Sequence, residues 1–112
     1  MRMWMVDPKL MCRKHLLGEH VECHMFWGCM AKGKNLKGYI SKGLLEPTKL
    51  FERHTDLYRE MERRGYKHDS QMYYPLTWRY SDFGIGKIDV EKNLIELSNR
   101  CENCKKLGRN KE

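Results

Sequence analysis

The sequence predicts an all-α fold: a compact single domain of about three helices, with an N-terminal arm folded against them and long irregular connections. Three observations point there. Apolar residues recur at helical spacing in three separate stretches. Helix-boundary residues bracket those stretches, with Asp7-Pro8, Pro47-Thr48 and Asp89 at starts and Gly65 at an end. Across residues 66 to 88, between the second and third of these stretches, no alternation of apolar and polar residues is sustained long enough for a strand.

Residues 1 to 6 (MRMWMV) read as a short apolar arm with one charge, Arg2. Asp7 then supplies an N-cap and Pro8 a first helical position. Leu10, Leu17, Val21 and Met25 follow at spacings of seven and four, with Gly28 next in step, and mark one helix face. Gly18 weakens this helix by about 1 kcal/mol relative to Ala, so it begins properly near Lys14. Residues 32 to 47 are rich in Gly and Lys and read as an irregular basic connection. In the second helix Leu50, His54, Leu57, Tyr58 and Met61 form the apolar stripe, Arg63 and Arg64 complement the dipole of the last turn, and Gly65 stops it. Residues 66 to 88 hold Tyr73, Tyr74, Trp78, Tyr80 and Phe83 among cations, a mixture that suits base stacking or a loop packed on helices. Asp89 caps a third helix with Leu94, Leu97, Cys101 and Cys104 on its buried face, and a basic tail at about 105 to 112 frays from its end.

The chain has 112 residues, 40% hydrophobic and 33% charged, which suits one globular domain with a modest core. No apolar run is long enough to cross a bilayer and no signal-peptide pattern opens the chain, so a soluble cytoplasmic monomer away from membranes is expected. A formal net charge of +7 on so small a domain points to a polyanion partner, with nucleic acid first. Five cysteines, an odd number without a secretion signal, argue for reduced thiols rather than a disulfide framework.

Cys101-Glu102-Asn103-Cys104 has zinc-ligand spacing, and His20 with His24 could complete a site. Both cysteines also continue an apolar stripe, where a thiol acts as a small hydrophobe, so no metal and no cofactor are expected. The acids are more telling. From Pro8 to Glu22 a helix rises roughly 20 Å. An extended arm of six or seven residues spans about the same distance. An arm folded back along the helix can therefore bring the Met1 amine beside Glu22. An α-amine titrates well below a lysine, so a useful fraction is neutral and can form an imine with a carbon electrophile, while a carboxylate moves the protons. The remaining chain offers no Ser-His-acid arrangement and no evident low-pKa cysteine.

These residues resemble the pyrimidine-dimer DNA glycosylase family, the phage endonuclease V type of glycosylase/AP lyase. Arg2 falls on the arginine after the catalytic amine, His15-Leu16 on a His-Leu pair, Glu19 on an acidic position, Glu22 on the catalytic glutamate and Gly28 on a glycine. A second segment, Glu52 to Leu57 with Glu60 and Arg64-Gly65-Tyr66, resembles the family's helix ending in Arg-Gly-aromatic. The resemblance, carried by two segments that cover about half the chain, implies a compact, mostly α-helical single domain, read here as spanning 1 to 112 and using no metal and no cofactor. It implies an N-terminal amine that attacks C1′ of a damaged nucleotide and cleaves the strand by β-elimination. Founding members lose the initiator methionine. Here Met1 itself occupies the amine position, and the bulk of Arg2 disfavours its removal. The pattern departs at Val21 and Met25, where family arginines contact the lesion strand, and in the missing aromatic C-terminal tail.

The expected function is DNA repair N-glycosylase with AP-lyase activity on pyrimidine dimers or a related lesion in double-stranded DNA. Met1 and Glu22 are the catalytic pair. Arg2, Arg13, Lys14, His15, Lys32, Lys34, Lys37 and Lys105 are the expected DNA contacts. The alternative from another class is a non-catalytic basic DNA-binding module with a Cys/His zinc site.

Overall fold

The first long helix starts where the chain stops being able to use Pro8. In the computed structural model, which describes residues 1–67, 71–72, 78 and 83–109, Asp7 caps only a single 3-10 turn, Pro8–Leu10. The Asp7 carboxylate accepts from Lys9 N–H at 3.0 Å, and the chain then goes extended at Met11. Helix α1 runs from Arg13 to Ala31, close to the delayed start that Gly18 suggested. A one-turn helix α2, Lys37–Ser41, sits inside the basic connection expected to be irregular. A second 3-10 turn, Pro47–Lys49, leads into α3, Leu50–Arg63. Helix α4 spans Val90–Arg100 and α5 spans Glu102–Arg109. The described residues contain no strand, and the all-α class holds.

Helices α1 and α3 form the centre of the fold. Helix α1 buries Leu16, Glu19, His20, Cys23, Phe26 and Met30, and α3 buries Leu50, Arg53, His54, Leu57, Glu60 and Met61. The expected α1 face is therefore corrected: Val21 is 55% and Met25 48% exposed. Hydrophobicity misplaced the face because α1 turns two polar residues inward, Glu19 and His20, each met by a partner on α3. The α3 stripe was placed correctly apart from Tyr58, which is half-buried, and Arg53 and Glu60, which the stripe omitted.

Gly65 ends α3 as expected. It takes φ +81, Gly65 N–H donates to Glu62 O at 2.9 Å, and Tyr66 N–H donates to Met61 O at 2.9 Å. That pair of bonds is a Schellman motif, whose left-handed residue favours glycine. Arg64 does more than complement the dipole. It pairs with Glu60 at 2.7 Å and donates to Pro8 O and Met11 O at 3.1 and 2.7 Å, tying the end of α3 to the turn before α1.

The predicted third helix is two helices. Asp89 caps α4 through Lys92 N–H at 3.0 Å, as expected. Cys101 is extended (φ −127, ψ 111), and α5 restarts at Glu102, so residues 105 to 109 are helical rather than a frayed tail. Among the aromatic stretch, Tyr73, Tyr74 and Tyr80 lie outside the described residues. Trp78 and Phe83 pack edge to face, centroids 5.0 Å apart, and Trp78 meets Phe51 at 6.5 Å.

Candidate active site

The arm is held at three depths. Met3 and Val6 are buried, Met3 N–H donates to Leu44 O at 2.7 Å, and Asn93 Nδ2 donates to Trp4 O at 2.8 Å. The His15 ring stands edge-on to Trp4, centroids 6.2 Å apart. From His15 to Glu22 the helix climbs about 10 Å. From Trp4 back to Met1 an extended chain reaches at most about 11 Å. The arm therefore runs against the direction of α1 and delivers its first residues to Glu22. There the Met1 ammonium and the Arg2 backbone N–H both favour the ionised Glu22 carboxylate electrostatically.

Glu22 is half-buried. Burial pushes its carboxyl above the ordinary glutamate range; the Met1 ammonium pulls it down, the Glu19 carboxylate pushes it up, and Arg2 pulls it down through its N–H and its charge. Burial wins, and the group holds its proton more tightly than a surface glutamate.

Arg2, an expected DNA contact, is engaged within the protein. Its guanidinium donates to Asn93 Oδ1 at 2.9 Å, pairs with Glu96 at 2.9 Å and lies 3.7 Å over the Trp4 ring. The side chain is 16% exposed, so it fixes the arm beside Glu22. Arg13 and Lys14 are exposed, Arg13 over the Tyr66 ring at 4.9 Å. His15 is half-buried with Nδ1 on two thiols, 3.3 Å from Cys12 Sγ and 3.6 Å from Cys104 Sγ. Its proton affinity is lowered by burial and by the charges of Lys14 and Arg100. Lys32, Lys34 and Lys37 are exposed, and Lys34 and Lys37 edge a cleft of about 490 Å³ with Phe83 and Gly84. Lys105 is half-buried on α5.

Behind Glu22 the core is polar. Arg53 grips Glu19 with two bonds, Nε to Oε2 at 2.6 Å and a terminal nitrogen to Oε1 at 2.8 Å, and both side chains are almost fully buried. His54 Nε2 lies 3.1 Å from His20 Nε2 and 3.1 Å from His24 Nε2. The pairing of Cys101 and Cys104 with His20 and His24, weighed from the sequence, is not made. The two histidines gather with His54, and the two cysteines gather with Cys12 and His15. Sequence reasoning missed the second set. Its signal was present as Cys12-x-x-His15, a spacing that matches Cys101-x-x-Cys104.

Fold and site together define a small, basic, all-α protein in which an extended arm sets a primary amine near a half-buried carboxylate on its longest helix. The sequence model of the pyrimidine dimer DNA glycosylase family matches residues 1–74 of the 112. The chain belongs to that family of DNA repair enzymes. No curated protein and no solved structure matches it significantly. The matched segment holds Met1, Arg2, Glu22, the Glu19–Arg53 pair and the three clustered histidines, whereas Cys101 and Cys104 lie beyond it. No described helix is long and apolar enough to cross a membrane.

Proposed function

We propose that the chain excises a damaged pyrimidine and then cuts the strand as an AP lyase, with the Met1 α-amine as nucleophile and Glu22 as proton carrier. The neutral amine attacks C1′, the glycosidic bond breaks, and the base leaves with its electron pair and takes up a proton. Opening of the C1′–O4′ bond, with Glu22 giving its proton to O4′, leaves a protonated imine between Met1 and C1′ and an ionised Glu22. The iminium acidifies the C2′ proton, the Glu22 carboxylate takes it, and the electron pair expels the 3′ phosphate. Water then hydrolyses the imine and frees the amine.

The observation that carries this reading is the half-buried Glu22 carboxylate placed within electrostatic reach of the Met1 ammonium. A carboxyl with a raised proton affinity accepts and returns protons closer to neutral pH than an ordinary glutamate. Exposed Arg13, Lys14, Lys32, Lys34 and Lys37 supply phosphate contacts, which makes affinity fall with salt. Val21 and Met25 flank Glu22 in sequence and are exposed. An apolar rim there suits the faces of an extruded or unstacked pyrimidine lesion better than phosphate.

The test is a split between cleavage and binding. Glu22→Gln is expected to lower strand cleavage at an abasic or dimer-containing duplex by about 10²-fold or more, the scale of a lost acid-base group. Duplex affinity should stay within a few-fold. Cleavage that survives the substitution assigns the proton transfers elsewhere. Binding without cleavage by the unaltered chain supports a non-catalytic DNA-binding module instead.

A further inference from the structure

We propose that Cys12, His15, Cys101 and Cys104 bind one zinc ion tetrahedrally and clamp α5 to the start of α1. Their ligand atoms lie within 4.8 Å of one another. Zn–S bonds of about 2.3 Å and Zn–N bonds of about 2.0 Å at tetrahedral angles give S···S edges of about 3.8 Å and S···N edges of about 3.5 Å. The structure has Cys12 Sγ to Cys101 Sγ at 3.8 Å, Cys12 Sγ to His15 Nδ1 at 3.3 Å and Cys104 Sγ to His15 Nδ1 at 3.6 Å. Three edges of the tetrahedron therefore lie within about 0.2 Å of the lengths a zinc ion imposes. The two pairs share the two-residue gap of closed structural sites.

The backbone is also arranged for metal-bound sulfur. Cys12 N–H donates to Cys104 Sγ at 3.2 Å. Amides aimed at sulfur are outer-sphere partners that orient thiolate ligands. Packing of thiols as small hydrophobes does not ask for them, nor for the helix break at Cys101 that starts the turn. On binding, the three thiols lose their protons to solvent, and Zn²⁺ with three thiolates and a neutral imidazole carries one negative charge. Lys14 and Arg100, whose charges reach His15, offset it. The ligand set joins residues inside the family segment to residues outside it, so family membership does not assign this site.

The experiment is elemental analysis of the untagged full chain, followed by cobalt(II) exchange. One zinc per chain is expected, with a tetrahedral cobalt spectrum carrying thiolate-to-cobalt charge transfer. The Cys101→Ser/Cys104→Ser double variant should lose the metal. His15→Cys, a four-thiolate site, should keep it, and Cys29→Ser, outside the cluster, should leave it unchanged. His15→Cys and the wild-type stoichiometry keep the proposal testable if the double variant fails to fold. The proposal is overturned by a folded metal-free wild type whose thermal midpoint does not respond to added zinc. It is equally overturned by metal that persists in a folded double variant, which would place it on His20, His24 and His54, or by a disulfide among the three cysteines.

Discussion

Arg53→Met removes one half of the most deeply buried ion pair described. The Glu19 side chain is 0% exposed, and Arg53 meets it with bonds of 2.6 and 2.8 Å. Methionine fills much of the space but donates nothing, so a carboxylate is left in the interface of α1 and α3 without its counter-charge. Breaking a buried pair from one side costs about 3–5 kcal/mol, most of it the penalty of the orphaned charge. A chain of this size is stable by about 6–17 kcal/mol, so the loss is a large share. At about 4 °C per kcal/mol, Tm should fall by roughly 12–20 °C. Urea unfolding followed by circular dichroism measures the difference, and the double variant Glu19→Leu/Arg53→Met is the control. Replacing both charges by apolar groups should restore most of the stability. A single variant that loses less than about 1 kcal/mol, or a double variant no better than the single, would refute the claim that an uncompensated charge is the cause.

Three further outcomes follow from other contacts. The Glu60 carboxyl is held below the ordinary range by its hydrogen bond to Arg63, against burial, with Arg64 adding to the effect. Its folded value is depressed, so its contribution is complete above the unfolded value of about 4.3 and fades as pH falls through the folded one. Glu60→Gln should thus cost about 1.5–3 kcal/mol at neutral pH and progressively less in acid, checked by urea midpoints across pH. Gly86→Ala should destabilise by about 1–3 kcal/mol, because a Cβ there would sit 2.4 Å from Leu45 O, which is backbone and cannot swing away. Differential scanning calorimetry would show it as a lower Tm. The acid limb of the cleavage rate should lie above the ordinary glutamate value of about 4.3, since Glu22 must be ionised to take the C2′ proton and burial raises its proton affinity. A pH–rate profile with its acid limb at or below that value would contradict the assignment.

The parts of the fold legible in the sequence are those fixed by local chemistry. Pro47, Gly65 and Asp89 bound helices because each acts on the backbone within a few residues. The folded-back arm was legible as well, although the length match drawn for it assumed a helix from Pro8, whereas α1 begins at Arg13. The inward face of α1 was hidden because hydrophobicity reports it only when buried residues are apolar. Glu19 and His20 go inside because Arg53 and His54, 34 residues away, meet them there. The break at Cys101 was hidden for a similar reason. Cys101 and Cys104 meet Cys12 and His15 there, and that relation is visible only when two short spacings, 89 residues apart, are read as one set. The internal partners of Arg2, Asn93 and Glu96, were hidden because they come from the other end of the chain.

The most direct test of the central claim is covalent trapping. Untagged protein is mixed with abasic-site duplex and borohydride, and the adduct is digested and mapped by mass spectrometry. The predicted result is a reduced DNA adduct on the peptide bearing Met1, lost when the α-amine is acetylated or extended by a tag. An adduct carried by a lysine, or none from the unmodified chain, would contradict it.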